Sequence, residues 1–250
     1  MNFRQKYNLV KELAITGFKL RNEGTFLGFF WYLLNPLLML AVLYFVFSSG
    51  TNIEHYALYI LIGLVQWNFL RTATMDGMRS ILDRDYMLRV LNFPKETLIL
   101  SSVLKSLISH FFEIFVLFIF ILIAGLISET IFFFPILLAL QILFLTGLNL
   151  ALSPLIVYFK DLESIWNFIL TIGWFATPIF YSISIVPKAI QPLYILNPMT
   201  QLIILSRDVL IYNSLPSFYS IIYLLLFDLV LIAAGIIIFR KISDKIPELI

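Results

Sequence analysis

Long, uninterrupted apolar runs dominate the hydropathy pattern of this chain. Six stretches fit: Phe29–Ser49, Tyr56–Met75, Leu98–Ile127, Ile131–Phe159, Leu162–Ser184 and Phe218–Phe239. A helix needs about 20 mostly apolar residues to cross about 30 Å of hydrocarbon. β-barrel strands would instead show short segments of alternating polarity, and no such run is present. A helix also closes its own backbone hydrogen bonds, which lipid cannot do for it. The predicted fold is all-α: a polytopic membrane protein with six transmembrane helices, one domain over residues 1–250.

The segments between the spans carry patterns of their own. From Phe3 to Arg21, Phe3, Tyr7, Val10, Ala14, Gly17 and Phe18 recur at three- and four-residue spacing. Arg4, Asn8, Lys11 and Lys19 fall towards the other side. This predicts, within residues 1–25, an amphipathic helix lying in the cytoplasmic interface. The loop Asp76–Pro94 alternates Asp76, Arg79, Asp83, Arg84, Asp85 and Arg89 with Met78, Ile81, Leu82 and Met87. That pattern predicts a short surface helix with one apolar side, ended by Asn92-Phe93-Pro94. Residues 185–215 hold Pro187, Pro192 and Pro198, with Pro216 just beyond. Between the last two, Met199–Tyr212 is apolar but too short to span, so a re-entrant or interfacial helical hairpin is expected on the outer side.

Composition agrees with membrane residence: 61% of the residues are hydrophobic and 13% charged, against about 25% charge in soluble domains. Lysine and arginine set the orientation. They cluster in the N-terminal arm, in the loop after the second span (Arg79, Arg84, Arg89, Lys95), at Lys160 and in the tail (Arg240, Lys241, Lys245). By the excess of positive charge on cytoplasmic loops, six spans put both termini in the cytoplasm. The run Phe29–Phe47 lacks a small-residue cleavage site, so it reads as a retained anchor rather than a signal peptide. No cysteine is present, which excludes disulfides and thiol chemistry. The two histidines, His55 and His110, do not have metal-ligand spacing.

Enzyme signatures are lacking. No Gly-x-x-x-x-Gly-Lys-Ser/Thr occurs, so nucleotide binding by a P-loop is excluded. Ionisable residues within spans need an explanation, because each costs about 2.5–3.5 kcal/mol at the bilayer centre. Lys105 is near the cytoplasmic edge and can snorkel. His110 and Glu113 lie deeper, one turn apart, and Asp228 sits mid-span without a local partner. These side chains either hydrogen-bond between helices or line a hydrophilic path. Tyrosine and tryptophan at span ends, among them Trp31, Tyr32 and Tyr181, fit interfacial belts. Trp166 and Trp174 share a broad face of the fifth span, and mid-span Trp174 is outside any belt. Aromatic rings on a path could stack on sugar rings; ordinary packing is the alternative.

Several short motifs in order complete the picture. They are Gly28-Phe-Phe-Trp31 and Asn35-Pro36 after the basic arm, then Asn92-Phe93-Pro94-Lys95-Glu96 and Phe159-Lys160-Asp161-Leu162. Thr177-Pro178-Ile179-Phe180-Tyr181, Asn197-Pro198-Met199 and Arg207-Asp208 follow. In this order and spacing the chain resembles, over nearly its whole length, the ABC-2 type permease subunits that export polysaccharides such as O-antigen, capsule and teichoic acid. Lys160 stands where that family commonly has arginine, keeping the charge without bidentate geometry. The resemblance implies a homodimer in a bacterial or archaeal cytoplasmic membrane, each copy bound to a separate ABC ATPase. ATP and magnesium would belong to that partner, with no cofactor on this chain and no nucleic-acid partner. Arg79, Asp83, Arg84, Asp85 and Arg89 would form the ATPase-coupling element, with Lys160 and Asp161 on a second cytoplasmic turn. Trp166, Trp174, Tyr181, Glu113 and Asp228 would lie on the translocation path. Asn197, Pro198, Arg207 and Asp208 would belong to an extracellular gate, and a lipid-linked glycan would be the cargo.

Three other functions fit parts of the pattern. A permease for a small drug or lipid would have a closed pocket rather than a continuous aromatic channel. A membrane-embedded enzyme acting on lipid-linked substrates would want clustered acids such as Asp83 and Asp85, which more simply pair with the neighbouring arginines. An ion-coupled carrier would use Glu113 and Asp228, but the inverted repeat expected of one is not seen.

Overall fold

A computed structural model describes residues 2–24, 28, 30–90 and 93–243, without the side chains of 88–90 and 243. Phe29, Asn92, Lys245 and the side chain of Arg89, named above, lie outside the described residues.

The elements are helical throughout the described residues. In chain order they are α1 (Phe3–Asn22), α2 (Phe30–Phe47), α3 (Tyr56–Arg79), α4 (Asp85–Val90) and α5 (Glu96–Ala124). Then come α6 (Phe134–Tyr158), α7 (Leu162–Ala176), α8 (Gln191–Leu196), α9 (Pro198–Leu210) and α10 (Phe218–Ser243). Local sequence sets the ends. Gln5 Oε1 accepts the Asn2 backbone N–H at 2.9 Å where α1 begins, and Lys19 and Arg21 face the negative end of its dipole. Gly125 closes α5 in the left-handed conformation (φ 70°), letting Leu126 N–H reach Ile121 O at 3.1 Å. Asn197 and Pro198 start α9, with Asn197 Oδ1 accepting Met199 N–H at 3.0 Å.

Among the described residues, four helical segments are long and apolar enough to cross a membrane: Phe30–Gly50, Glu96–Ala124, Glu129–Tyr158 and Phe218–Ile242. The expected second and fifth spans form helices of a different character. Helix α3, at 24 residues, is long enough, but Gln66, Asn68 and Arg71 dilute its apolarity. It can carry them because it is the centre of the bundle, packed by α2, α5, α6 and α9; the stretch from Leu58 to Trp67 is buried throughout. Helix α7 has only 15 residues and gives way at Thr177-Pro178, where proline disfavours helix at the preceding residue.

Polar side chains join the helices where lipid would not solvate them. Gln66 Nε2 donates to Ser206 Oγ on α9 at 2.8 Å, and Gln141 Nε2 on α6 donates to Gln66 O at 2.9 Å. Two turns on, Asn149 Nδ2 donates to Ala73 O at 3.0 Å, seated where a Cβ on Gly77 would overlap its carboxamide. The hydroxyls of Ser80 and Ser153 meet at 3.1 Å to close this seam. Helix α10 runs along α6 through a glycine contact. A Cβ on Gly235 would stand 2.7 Å from Gly147 O and 2.8 Å from Leu150 Cβ.

The predicted N-terminal amphipathic helix forms over Phe3–Asn22 and lies on α5. Only its second half is held closely: Ala14 is fully buried, while Phe3 and Tyr7 are exposed. The predicted loop begins later than expected, because α3 continues through Asp76 to Arg79 before the turn at Leu82–Arg84.

Gly235→Leu should force α10 off α6 and cost about 1–3 kcal/mol by overpacking. Thermal unfolding in detergent checks it; a melting temperature equal to wild type would mean the helices are not this close.

Candidate functional site: an aromatic cavity with two polar anchors

A cavity of about 770 Å³ opens between α2, α3, α5 and α7. Trp31, Trp67, Trp174 and Phe175 give its aromatic wall, and Asn35, Asn68, Arg71, Asp76 and Glu113 its polar lining. Asn68, Arg71, Asp76 and Glu113 are each held by a neighbour. Arg71 Nη2 donates to Asn167 Oδ1 of α7 at 3.0 Å. Glu113 is pinned from two sides, by His110 Nδ1 at 3.0 Å and Asn68 Nδ2 at 3.4 Å. The His110 ring is stacked on Phe69 with centroids 4.2 Å apart. Trp67 Cη2 would stand 2.9 Å from a Cβ on Gly173, so glycine there lets the indole enter between α3 and α7.

One end of the cavity is an ion cluster. Asp76 Oδ2 is 2.7 Å from Arg21 Nη1, 3.2 Å from Lys105 Nζ and 2.8 Å from Ser106 Oγ. Arg21 also donates to Ser109 Oγ and lies over the Tyr32 ring, 5.1 Å from its centre. Helix α1 is thereby fastened to the cavity itself. Lys105 has a carboxylate partner in Asp76.

Of the residues expected on the path, Glu113 and Trp174 line the cavity. Trp166, Tyr181 and Asp228 are not among its lining residues. Trp166 Nε1 donates to Thr74 Oγ1 at 3.0 Å, and Tyr181 Oη donates to Phe175 O at 2.7 Å. Asp228 is fully buried on α10, with no hydrogen-bond partner for either carboxylate oxygen among the described residues.

Of the four residues assigned to an extracellular gate, Arg207 and Asn197 hold one compact turn at residues 177–179. Arg207 is 2% exposed, and its guanidinium donates only to main chain. Nε and Nη2 reach Tyr59 O at 3.2 and 3.1 Å, Nη1 reaches Pro178 O at 2.8 Å, and Nη2 reaches Ile179 O at 2.7 Å. The Tyr59 ring lies 3.4 Å beneath its carbon centre. Asn197 Nδ2 donates to Thr177 Oγ1 at 3.2 Å, so Asn197-Pro198 holds the other side of the same turn. Gly63 makes the approach possible, since a Cβ there would be 2.8 Å from Ile179 O. Asp208 stays at the rim, its carbonyl accepting Ser214 N–H at 2.9 Å.

On the opposite side, Arg79 Nη1 is 3.0 Å from Glu163 Oε1 of α7, and Arg79 Nε is 3.5 Å from Asp83. Glu163, and after it Asp83, hold the Arg79 guanidinium above its ordinary pKa. Arg84 points inward: it donates to Leu13 O of α1 at 3.3 Å and Ser101 Oγ at 3.2 Å. Burial pulls its pKa below the ordinary value. Gly17 makes room for it, since a Cβ there would be 3.2 Å from both Arg84 Nη2 and Lys105 Cδ. Leu82 and Tyr86 stand exposed beside it, Asp85 accepts the Tyr86 N–H, and Lys160 and Asp161 occupy the exposed turn before α7.

Residue spacing along the chain did not single out Arg21, Tyr59, Gly63, Asn68, Arg71 or Asp76 as site residues. Asn68 and Arg71 carried a usable signal, being polar groups three residues apart inside an apolar run. Tyr59 carried none, because its contribution to the Arg207 knot is largely a main-chain carbonyl.

An apolar helical bundle built around a polar-and-aromatic cavity defines an integral membrane protein of the transport class. The ABC-2 type transporter family model matches residues 8–211, and the chain belongs to that family. It is similar to the O-antigen export system permease protein RfbA of Klebsiella pneumoniae, 24% identical over 261 residues covering 100% of both chains. It is also similar to the protein of the same name from Myxococcus xanthus, 28% identical over 253 residues, 98% of this chain and 96% of the other.

Arg207→Met should be strongly destabilising, because three buried carbonyls lose their donor at about 1–3 kcal/mol for each unsatisfied group. Arg207→Lys should recover only part, lacking the planar fork. Unfolding in detergent checks both; a loss no larger than that of Asp208→Asn would make Arg207 an ordinary rim residue.

Proposed function

We propose that this chain is the permease subunit of an ATP-driven exporter for a lipid-linked polysaccharide, acting as a homodimer with two separate ABC ATPase subunits. The observation that carries this reading is the aromatic cavity. Three indoles and a phenylalanine face one space of about 770 Å³ with two asparagines and an arginine among them. Flat rings beside amide and guanidinium groups suit sugars, whose apolar faces stack while their hydroxyls hydrogen-bond. The full-length similarity to O-antigen export permeases points the same way.

In this reading α3 and α7 complete six crossings and α8–α9 form an outer re-entrant hairpin. Both termini are cytoplasmic, in a bacterial or archaeal inner membrane, since the lysine and arginine clusters then share one side. Ile165, Phe168, Ile169 and Ile172 leave one face of α7 largely uncovered, and that face is where the second copy packs. The ATPase docks on the turn around Leu82–Tyr86, bounded by Arg79, Asp83, Asp85 and the Lys160–Asp161 turn. Arg84 contributes from behind, by holding α1 against that turn. Cavity size alone also suits one drug-sized ligand or lipid, which an export assay separates from a polymer.

The first test is tagged purification in mild detergent with mass spectrometry of what co-elutes. A stoichiometric ABC-type ATPase is expected, and its absence removes the permease reading. Tyr86→Glu should abolish that co-purification while membrane insertion stays normal; retained ATPase would move the docking site elsewhere. Trp174→Ala should lower the export rate about tenfold if stacking on a sugar contributes about 1.5 kcal/mol. An unchanged rate would assign that ring to packing.

A further inference from the structure

We propose that Glu113 is the cavity's sugar-hydroxyl acceptor and that His110 is a positioning residue that holds it in register with the indoles; this rests on the permease reading above. Among the described lining residues, Glu113 is the acidic side chain not already neutralised by lysine or arginine, since Asp76 is taken by Arg21 and Lys105. Its two oxygens accept about four hydrogen bonds when ionised. Asn68 and His110 take one direction each, at 3.4 and 3.0 Å. The remaining directions belong to a carboxylate that borders an open space shared with Trp67 and Trp174. That pairing has a defined chemistry: neighbouring hydroxyls of a sugar ring donate to a carboxylate while the ring's C–H face rests on an indole.

The support behind Glu113 is built for position. With the carboxylate ionised it can only accept, so His110 donates through Nδ1. The imidazole cannot swing away, because it is 2% exposed and lies flat on Phe69, 5° from parallel. The two side chains also edge a small void of about 10 Å³, together with Tyr32, Thr72 and Ser109. A carboxylate held this way presents its acceptors without paying for their ordering when a sugar arrives.

The test is ATP-driven transport by the permease–ATPase complex in proteoliposomes, using lipid-linked glycan extracted from the source organism's membranes at varied surface density. Glu113→Gln keeps the shape and loses the charge. It should raise the half-saturating density about tenfold or more, the effect of one charge-assisted hydrogen bond. The maximal rate should stay within about twofold, as expected when binding alone is lost. His110→Phe keeps the stack on Phe69 but not the donor, and should shift half-saturation in the same direction. His110→Asn restores a donor near the Nδ1 position and should return most of it, which a merely space-filling role for His110 would not produce. Wild-type half-saturation in Glu113→Gln, with normal amounts of complex in the membrane, would overturn the acceptor site and leave the permease reading standing. A wild-type complex that moves no glycan would overturn both.

Discussion

A bilayer interior solvates no polar group, and every polar side chain in this bundle has to be read against that constraint. Helix α3 meets it most fully. Gln66, Asn68, Arg71, Thr74 and Asp76 follow one another along a helix that protein surrounds on most sides. Each finds a partner on another helix: Ser206 on α9, Glu113 on α5, Asn167 and Trp166 on α7, and Arg21 on α1. The same residues that lower the apolarity of α3 are therefore the ones that position the remaining helices around the cavity.

Polar side chains inside such a bundle divide into two kinds. Some, such as Gln141 and Asn149, spend their hydrogen bonds on the backbone of α3 and fix distances between helices. Others, such as Arg71 and Glu113, are held by a neighbour yet still border open space. Asp228 belongs to neither kind. It is enclosed between helices, away from the cavity, with no hydrogen-bond donor facing it among the described residues.

Much of this architecture was legible in the residues. Apolar run length located α2, α5, α6 and α10, and the three- and four-residue spacing located α1, because these patterns follow directly from helix geometry. The ends of α3 and α7 were less legible. Asp76 looks like the first residue of a loop, yet its carboxylate is balanced by Arg21 and Lys105, so the helix runs on past it. Thr177-Pro178, Asn197-Pro198 and Arg207 were legible as motifs but not as one object. They stand between 9 and 30 residues apart along the chain, and what joins them is largely main-chain carbonyls and a glycine's missing Cβ. The inward turn of Arg84 was hidden for a similar reason, since one of its acceptors is the carbonyl of Leu13.

The Arg207 knot has an evolutionary side. Its acceptors are the carbonyls of residues 59, 178 and 179, and every amino acid supplies a carbonyl. Substitution at 178 or 179 can reshape the surroundings but cannot delete the acceptor. Position 207 has no such latitude, because no other side chain offers a planar fork of five donors. Position 63 is nearly as constrained, by the space that a Cβ would take. The arginine side of the joint thus places most of its mutational burden on two residues, while residue 179 meets them only through its main chain.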